Sequence, residues 1–444
     1  MKKLVLIVLT LALAFSLCAC EEMEALQKVE LPSLPTVSIE PTAAPEITPI
    51  PGLDLPDETP VLPEEEPAQT AEPETRVIVN FKSTAYEEFD PAEGTQRILS
   101  FSYDTPIVLI DGRDAAAAAI NEYIALLDET YYTGNDYGDG YSTGYNGMLE
   151  AAEDNFAYVM GNNVEGIPLE FSSTRTVRVS RGDDQVLSLV FTTYEYTGGA
   201  HGMYVEEAYC FDTVTGERIS LDQLSTDFDA FAEELTRRMV EMATTDEYYA
   251  DRIPDSFVSP EQYETAFAAL LREGNWYLGS EGLTIFSDLE ELGPYAAGIV
   301  EFTIPYDELR GMMDGRFFPA ARDGEGAFSI AALADVPEGT IEILDRVSVE
   351  PASQELLLTV EGKVYDVRLA TVYYSDQFYE NSQVWYCGYM KDCAVQLAAS
   401  IPEGLPNLML SYQTADGERH NKLLSQNGME GGFTLVNDSI QVLG

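Results

Sequence analysis

The chain has 444 residues, more than one ordinary domain needs, and its 77 acidic residues against 24 basic ones give a formal net charge of −53. This charge disfavours nucleic-acid binding, because phosphates would be repelled, and it favours solubility and the attraction of basic partners. No phosphate-binding glycine motif is present, so nucleotide-dependent chemistry is not expected.

Residues 1–19 are predicted to be a lipoprotein signal peptide. Lys2 and Lys3 precede an apolar run that is too short to span a bilayer, for which about 20 residues are needed. The sequence "LCAC" at 17–20 resembles a bacterial lipobox, which implies that Cys20 is lipidated and becomes the mature N-terminus. We therefore expect anchorage to the cell membrane through lipid, facing the extracytoplasmic side, with simple secretion as the alternative.

Residues 20–75 are predicted to be a disordered tether. The segment is rich in proline and glutamate, and Lys28 is its only basic residue. It cannot bury enough apolar surface to offset its chain entropy, while proline stiffens it and like charges extend it. The tether would hold a globular head away from the membrane.

Residues 76–318 are predicted to form a first domain. "RVIVNF" and "RILSFSY" indicate strands, and "DAAAAAINEYIALLDETYY" indicates a helix with Ile120, Ile124 and Leu127 on one face. Three strands follow over "LEFSSTRTVRVSR", "QVLSLVFTTYEY" and "MYVEEAYCFDTVTGERI", then two helices that we expect Thr226 and Ser259 to cap, and a closing pair of strands. Because strands and helices do not alternate one by one, the pattern favours an α+β fold with an antiparallel sheet and packed helices.

The loop after the first helix, "GNDYGDGYSTGYNG", resembles half of a calcium loop but lacks the regular acidic spacing of an EF-hand, so no metal is expected there. Tyrosines cluster in and around it, at positions 131, 132, 137, 141 and 145. Such side chains suit protein or sugar binding, and the alternative is that they pack beneath the loop.

Residues 337–444 are predicted to be a β-rich, sandwich-like C-terminal domain after a junction at about 317–340. One hairpin is expected to turn at Glu361-Gly362-Lys363 and another at Asp416-Gly417. Cys387 and Cys393 flank a five-residue loop and are candidates for a cross-strand disulfide, which would be a modest staple. Cys210 lies in a strand-like context and is expected to be a buried apolar residue.

Three stretches of the first domain resemble the RsiV-like, PdaC-associated extracytoplasmic domain family. They are "PIVLIDGRDAAAAAINEYI", "YEYTGGAHGMYVEEAYCFDTVTGERISLDQL" and "LTIFSDLEELGPYAAGIVEFTIPYDEL". The resemblance implies an α+β fold and an extracellular binding role, since the RsiV-type member senses lysozyme by direct binding. Anti-sigma activity is not expected with a lipid anchor in place of a spanning helix. PdaC-type deacetylase chemistry is not expected either, because His201 and His420 are the only histidines.

His201 lies in "YTGGAHG", between two predicted strands. A turn is the favoured interpretation: Gly198 and Gly199 would supply positive φ angles, and Gly202 would let the next strand approach closely. Contact of Tyr196, His201 and the three glycines with a partner is the second interpretation, and catalysis or metal binding by His201 the third. No serine-nucleophile elbow or set of zinc ligands accompanies the histidine.

The predicted function is a lipid-anchored extracytoplasmic binding module without catalytic residues, cofactor or metal. Its partner would be a basic protein such as lysozyme, or a cell-wall component such as peptidoglycan. The alternative is a peptidoglycan-modifying enzyme that uses a site near His201.

Overall fold

A computed structural model describes residues 75–134, 144–164, 166–374, 379–403, 406–426 and 432–437, all within one compact unit, Ala71–Gly444. The predicted signal peptide, Cys20, the tether up to residue 74, Tyr137 and Tyr141 lie outside these ranges. No helix in the described ranges combines the length and the apolar character needed to cross a membrane.

Five α-helices lie in the described ranges. They are α1 (Asp114–Thr133), α2 (Tyr145–Asn162), α3 (Phe228–Thr245), α4 (Glu247–Arg252) and α5 (Tyr263–Ala268).

Strands in the first half of the described chain are β1 (Val77–Phe89), β2 (Arg97–Ile110), β3 (Phe171–Gly182), β4 (Val186–Tyr196), β5 (Met203–Asp212), β6 (Arg218–Ile219), β7 (Trp276–Leu278), β8 (Gly282–Phe286) and β9 (Glu301–Pro305). The second half adds β10 (Gly326–Ala332), β11 (Glu342–Ser348), β12 (Gln354–Tyr374), β13 (Tyr379–Lys391), β14 (Cys393–Ala399), β15 (Leu408–Gln413), β16 (Arg419–Gln426) and β17 (Phe433–Asn437).

A long, mostly antiparallel sheet has the strand order β17-β16-β15-β12-β13-β1-β2-β3-β4-β5-β6. Strands β10 and β14 branch from it by pairing with the first part of β12, and β11 pairs in parallel with β14. Strands β7, β8 and β9 form a separate antiparallel sheet. Together with the five helices, this arrangement confirms the predicted α+β class.

Helix α1 follows the predicted apolar face, with Ile120 and Ile124 buried against β1 to β4 and Leu127 packed at the edge of the same core. Helix α3 likewise buries Phe231, Leu235 and Met239 against β4, β5 and the β7–β9 sheet. Both helices therefore lie where their 3.6-residue periodicity places an apolar stripe.

The helix starts agree only in part with prediction. Asp227, not Thr226, caps α3, because its side chain accepts a hydrogen bond from the backbone N–H of Ala230. Ser259 and Gln262 form the predicted capping box, which opens a short 3-10 turn before α5.

The C-terminal β region is joined to the first region through one continuous sheet. Strand β13 pairs with β1 on one side and β12 on the other. Ile78 of β1 lies in the C-terminal core, and Tyr386 of β13 lies in the core beneath α1. The side chain of Gln383 also accepts a hydrogen bond from Val179 N–H at 2.9 Å. The regions on the two sides of the junction predicted at 317–340 therefore belong to one sheet, and each contributes a side chain to the core of the other. The predicted junction itself contains strand β10.

The hairpin predicted at Glu361-Gly362-Lys363 is wrong, because β12 continues through these residues as one 21-residue strand. Gly362 has a positive φ of +78°, and a Cβ there would lie 1.9 Å from the carbonyl oxygen of Glu325. The glycine thus lets the residues that lead into β10 pass close to β12, and the chain does not turn back at this position. The hairpin predicted at Asp416-Gly417 is confirmed between β15 and β16, with Gly417 at φ +86°.

The predicted disulfide is not formed: Cys387 and Cys393 are both free and buried, as is Cys210. Cys387 lies on β13 between β1 and β12, whereas Cys393 opens β14, which pairs with β11 and β12. Because β13 and β14 do not pair with each other, the cross-strand geometry assumed for the disulfide is missing. Burial raises the pKa of both thiols, which keeps them protonated.

Candidate functional site

The turn that contains His201 joins β4 to β5, and its glycines determine its path. Gly198 and Gly199 have φ angles of +98° and +97°, which glycine adopts without the penalty that a Cβ brings. Gly202 is buried, and a Cβ there would lie 2.4 Å from the ring of Tyr194. The turn is therefore a tight connection in which each of the three glycines meets a steric requirement.

His201 is exposed at this turn, where it contacts the neighbouring residue Gly202 and the aromatic ring of Tyr295. Its Nδ1 lies 3.1 Å from the carbonyl oxygen of Gly202, and its ring stacks on Tyr295 with 3.7 Å between centroids. The hydroxyl of Tyr196 donates to the carbonyl oxygen of Gly199 at 3.1 Å. Among the described residues, no group of three or more His, Cys, Asp and Glu side chains is arranged to hold a metal ion.

Directly after the turn, β5 presents three consecutive exposed apolar residues. Met203, Tyr204 and Val205 expose 45%, 43% and 51% of their surface, and we call them the hairpin surface. Glu207, two residues further along β5, is also exposed. Successive side chains of a strand point to opposite faces, so Met203 and Val205 lie on one face of β5 and Tyr204 on the other. These exposed apolar residues are candidates for contact with another protein.

The described tyrosines of the predicted cluster pack on one another. Tyr132 and Tyr145 stack with 5.3 Å between ring centroids, and Tyr131 stacks on the buried ring of Phe101 at 4.8 Å. The Tyr131 hydroxyl also lies 2.6 Å from Ser173 Oγ. These three tyrosines join α1 and α2 to the sheet, which favours the packing interpretation over a binding surface.

A groove of about 810 Å³ lies between the region of β3, β5 and α4 and the C-terminal strands β12, β13, β15 and β16. We call it the arginine groove, because Arg178, Arg252, Arg368 and Arg419 all line it. Two carboxylates, Glu206 and Glu301, and two aromatic rings, Tyr248 and Tyr277, also line it. Hydroxyl and amide groups of its lining come from Thr176, Thr192, Ser382, Gln383, Ser411 and Asn421.

Arg368 and Arg419 share one carboxylate on the C-terminal side of the groove. Asp366 is only 3% exposed, lies at a positive φ of 47°, and pairs with both guanidinium groups. Burial alone would raise the pKa of Asp366, but the two arginines outweigh burial and hold the pKa below its usual value of 3.8. The single carboxylate of Asp366 thus forms ion pairs with two guanidinium groups.

On the opposite side, Arg178 contacts two carboxylates and a tyrosine. Its Nη2 lies 3.4 Å from Glu301 Oε1, 3.4 Å from the Tyr277 hydroxyl and 3.9 Å from Glu206 Oε2. Burial raises the pKa of Glu206, and the charge of Arg178 opposes that rise without cancelling it. Glu206 is thus protonated more easily than an ordinary glutamate.

Two enclosed polar atoms of the groove residues have no hydrogen-bond partner among the described residues. They are Glu206 Oε2, an acceptor, and Arg252 Nε, a donor. Leaving such a group unpaired costs about 1–3 kcal/mol. The guanidinium of Arg252 lies over the ring of Tyr248, 4.1 Å from its centroid. The groove residues therefore include one donor and one acceptor to which the described residues give no hydrogen bond.

Sequence reasoning found the turn but missed the arginine groove. The turn is encoded by neighbouring residues, whereas the groove residues lie between positions 176 and 421. One signal was available: Arg368 and Arg419 are basic residues at strand positions of a chain in which basic residues are scarce.

Comparison with family models gives two matches. Residues 92–204 match a model described as deacetylase PdaC, and residues 222–307 match a model described as a protein of unknown function, DUF3298. The predicted resemblance is thereby confirmed. Glu206, Arg368 and Arg419 lie outside both matched segments.

Similar solved structures include two DUF3298 family proteins. One, from Bacteroides fragilis, is 19% identical with a TM-score of 0.40, and the match covers 54% of this chain and 94% of that chain. The other, from Pseudomonas aeruginosa, is 22% identical with a TM-score of 0.34, and the match covers 55% of this chain and 97% of that chain. Comparison with curated proteins gives no significant match.

Proposed function

The chain carries the PdaC and DUF3298 regions of the PdaC/RsiV-like extracytoplasmic domain family, and from this premise we propose that it is a binding module without catalytic activity. The proposal includes a lipid anchor at Cys20 and an extracytoplasmic location. These two features are supported by the positive start, the short apolar run and the "LCAC" sequence.

We propose that the partner is a basic protein, with lysozyme as the type of ligand. The observation that carries the proposal is the hairpin surface, three consecutive exposed apolar residues in a chain with 77 acidic and 24 basic residues. The acidic charge would attract a basic protein over a distance, and the apolar residues would bury area on contact. The family supports the choice, since its RsiV-type member binds lysozyme.

Titration calorimetry of lysozyme against the purified chain tests this proposal. We expect heat of binding at low salt and weaker binding at high salt, because the attraction between exposed charges is screened. Absence of heat at low salt would exclude lysozyme as the ligand.

A matched pair of variants tests the location. Val205 and Val214 are each 51% exposed, but only Val205 belongs to the hairpin surface. Both Val205→Lys and Val214→Lys add one positive charge. We expect Val205→Lys to weaken lysozyme binding about tenfold and Val214→Lys to leave it nearly unchanged. Equal effects of the two variants would place the site elsewhere.

The alternative function is a peptidoglycan-modifying enzyme with a site near His201. It draws on the deacetylase named in one family model and on the exposure of His201 beside Tyr295. Turnover of peptidoglycan fragments by the natural chain, lost in a folded His201→Ala variant, would support the enzyme. If neither protein turns over these fragments, the binding proposal stands.

A further inference from the structure

We infer that the arginine groove binds a small anionic ligand, one that carries a carboxylate or a phosphate together with hydroxyl groups. None of the three hairpin-surface residues lines this groove, although Glu206 of the groove follows Val205 on β5. Its volume of about 810 Å³ falls within the range of small-molecule sites, which is about 300–1,000 Å³.

The first argument is uncompensated positive charge. Arg368 and Arg419 both line the groove and both pair with Asp366, whose single negative charge can balance only one of them. Arg419 Nη1 also donates to Ser411 Oγ at 3.0 Å, which helps to fix the orientation of the guanidinium. A fixed guanidinium can bind a carboxylate or a phosphate through two parallel hydrogen bonds.

The second argument is Arg252, which forms no ion pair with any described residue. Its guanidinium is held over the Tyr248 ring, and its Nε is enclosed without a hydrogen-bond partner. An arginine without an acidic partner on the wall of a groove can bind an anionic ligand. A ligand oxygen would supply the acceptor that this donor lacks.

The third argument is the acceptor on the other wall. Glu206 Oε2 is enclosed and unpaired, and its 3.9 Å separation from Arg178 Nη2 is too long for a hydrogen bond. A carboxylate oxygen in this position accepts a hydrogen bond from a hydroxyl group. A ligand with an anionic group toward the arginines and a hydroxyl toward Glu206 would match the charges of both walls.

The test compares three probes on the full-length chain purified in detergent. N-acetylmuramic acid carries a carboxylate, N-acetylglucosamine is the corresponding neutral sugar, and glycerol 3-phosphate carries a phosphate. By calorimetry we expect at least one anionic probe to bind about tenfold or more tightly than the neutral sugar, and to weaken at high salt. The probe that binds more tightly identifies the anion as carboxylate or phosphate. Equal binding of all three, or no binding of either anion, would overturn the inference.

Arg252→Gln tests the groove against Arg310→Gln as the matched control. Arg310 is exposed, pairs with Asp307 and lies outside the groove. We expect Arg252→Gln to lose about tenfold in affinity for the anionic probe and Arg310→Gln to lose none. Equal losses would show that only overall charge matters. If circular dichroism shows that Arg252→Gln is unfolded, Arg419→Gln decides, because Asp366 keeps Arg368 as its partner in that variant. We expect Arg419→Gln to lose about tenfold in affinity for the anionic probe, and no loss would contradict the site.

Lysozyme binding provides the internal comparison. Arg252→Gln should leave lysozyme binding unchanged, because the hairpin surface does not include this arginine. The two proposals, anion binding in the groove and lysozyme binding at the hairpin surface, can therefore be disproved independently of each other.

Discussion

The hairpin surface and the arginine groove present opposite chemistry in one chain. The hairpin surface is open, apolar and adjacent to exposed acid, and all of it comes from three consecutive residues. The groove is recessed and rich in arginine, and its walls come from distant strands. Four of the 24 basic residues line this one groove, while acidic residues dominate the chain as a whole.

The difference teaches that net charge describes only one of the two surfaces. A charge of −53 predicts what the whole molecule attracts over a distance, whereas a recessed group responds mainly to its immediate neighbours. Asp366 is the residue on which this distinction depends most. Its buried carboxylate pairs with Arg368 and Arg419, and water has little access to these ion pairs.

The largest effect that separates the two surfaces is expected from Asp366→Ala. The change leaves Arg368 and Arg419 close together without their shared carboxylate, so we expect the free energy of unfolding to fall by about 3 kcal/mol in urea titrations at neutral pH. Asp307→Ala removes an exposed partner of Arg310 and should cost less than about 1 kcal/mol. Similar losses in both variants would mean that the buried aspartate has no special role.

The ion pairs of Asp366 with the two arginines also predict that the free energy of unfolding depends on pH. Because the folded pKa of Asp366 is lowered from 3.8, its stabilising contribution is fully present above that value and is lost as the pH falls through the folded pKa. The difference between the natural chain and Asp366→Ala should therefore shrink below about pH 4. A difference that stays constant down to strong acid would argue against the ion pairs as its source.

The turn beside the hairpin surface is tested by Gly202→Ala. A new Cβ would lie 2.4 Å from the Tyr194 ring and 2.6 Å from the carbonyl oxygen of Glu195, so the strand ends must separate. We expect a loss of about 2 kcal/mol in the free energy of unfolding. The control, Gly161→Ala, lies within α2 with no atom near the new Cβ and should stabilise by about 0.5–1 kcal/mol. A neutral Gly202→Ala would mean that the close approach is not required.

Much of the fold could be predicted, because its signals are local. The helix periodicity of α1, the capping box at Ser259, the Asp416-Gly417 hairpin and the glycine turn before β5 all depend on neighbouring residues. Each signal has one physical reason, either an apolar face, an unpaired N–H group or a positive φ angle.

The errors have a common cause in long-range pairing. Gly362 carried a turn signal, yet its requirement comes from Glu325 across the strand junction. Cys387 and Cys393 are close in sequence but lie on two strands that both pair with β12 and do not pair with each other. The arginine groove likewise depends on how β12 and β16 are brought opposite β3 and α4. Such pairings follow from the complete sheet and leave no local pattern in the sequence.

The smallest change in the free energy of unfolding is expected from His201→Ala. This variant also tests most directly whether the hairpin surface and the arginine groove are separate sites. The variant loses the stacking on Tyr295 and the contact with the Gly202 carbonyl oxygen, both at an exposed position, so the cost should be about 0.5 kcal/mol. Thermal unfolding should show a small decrease in melting temperature, while binding of the anionic probe in the groove stays unchanged. A decrease in anion affinity in this variant would join the two surfaces into one site. Unchanged affinity with a slightly lower melting temperature would leave the histidine as a structural residue of the turn.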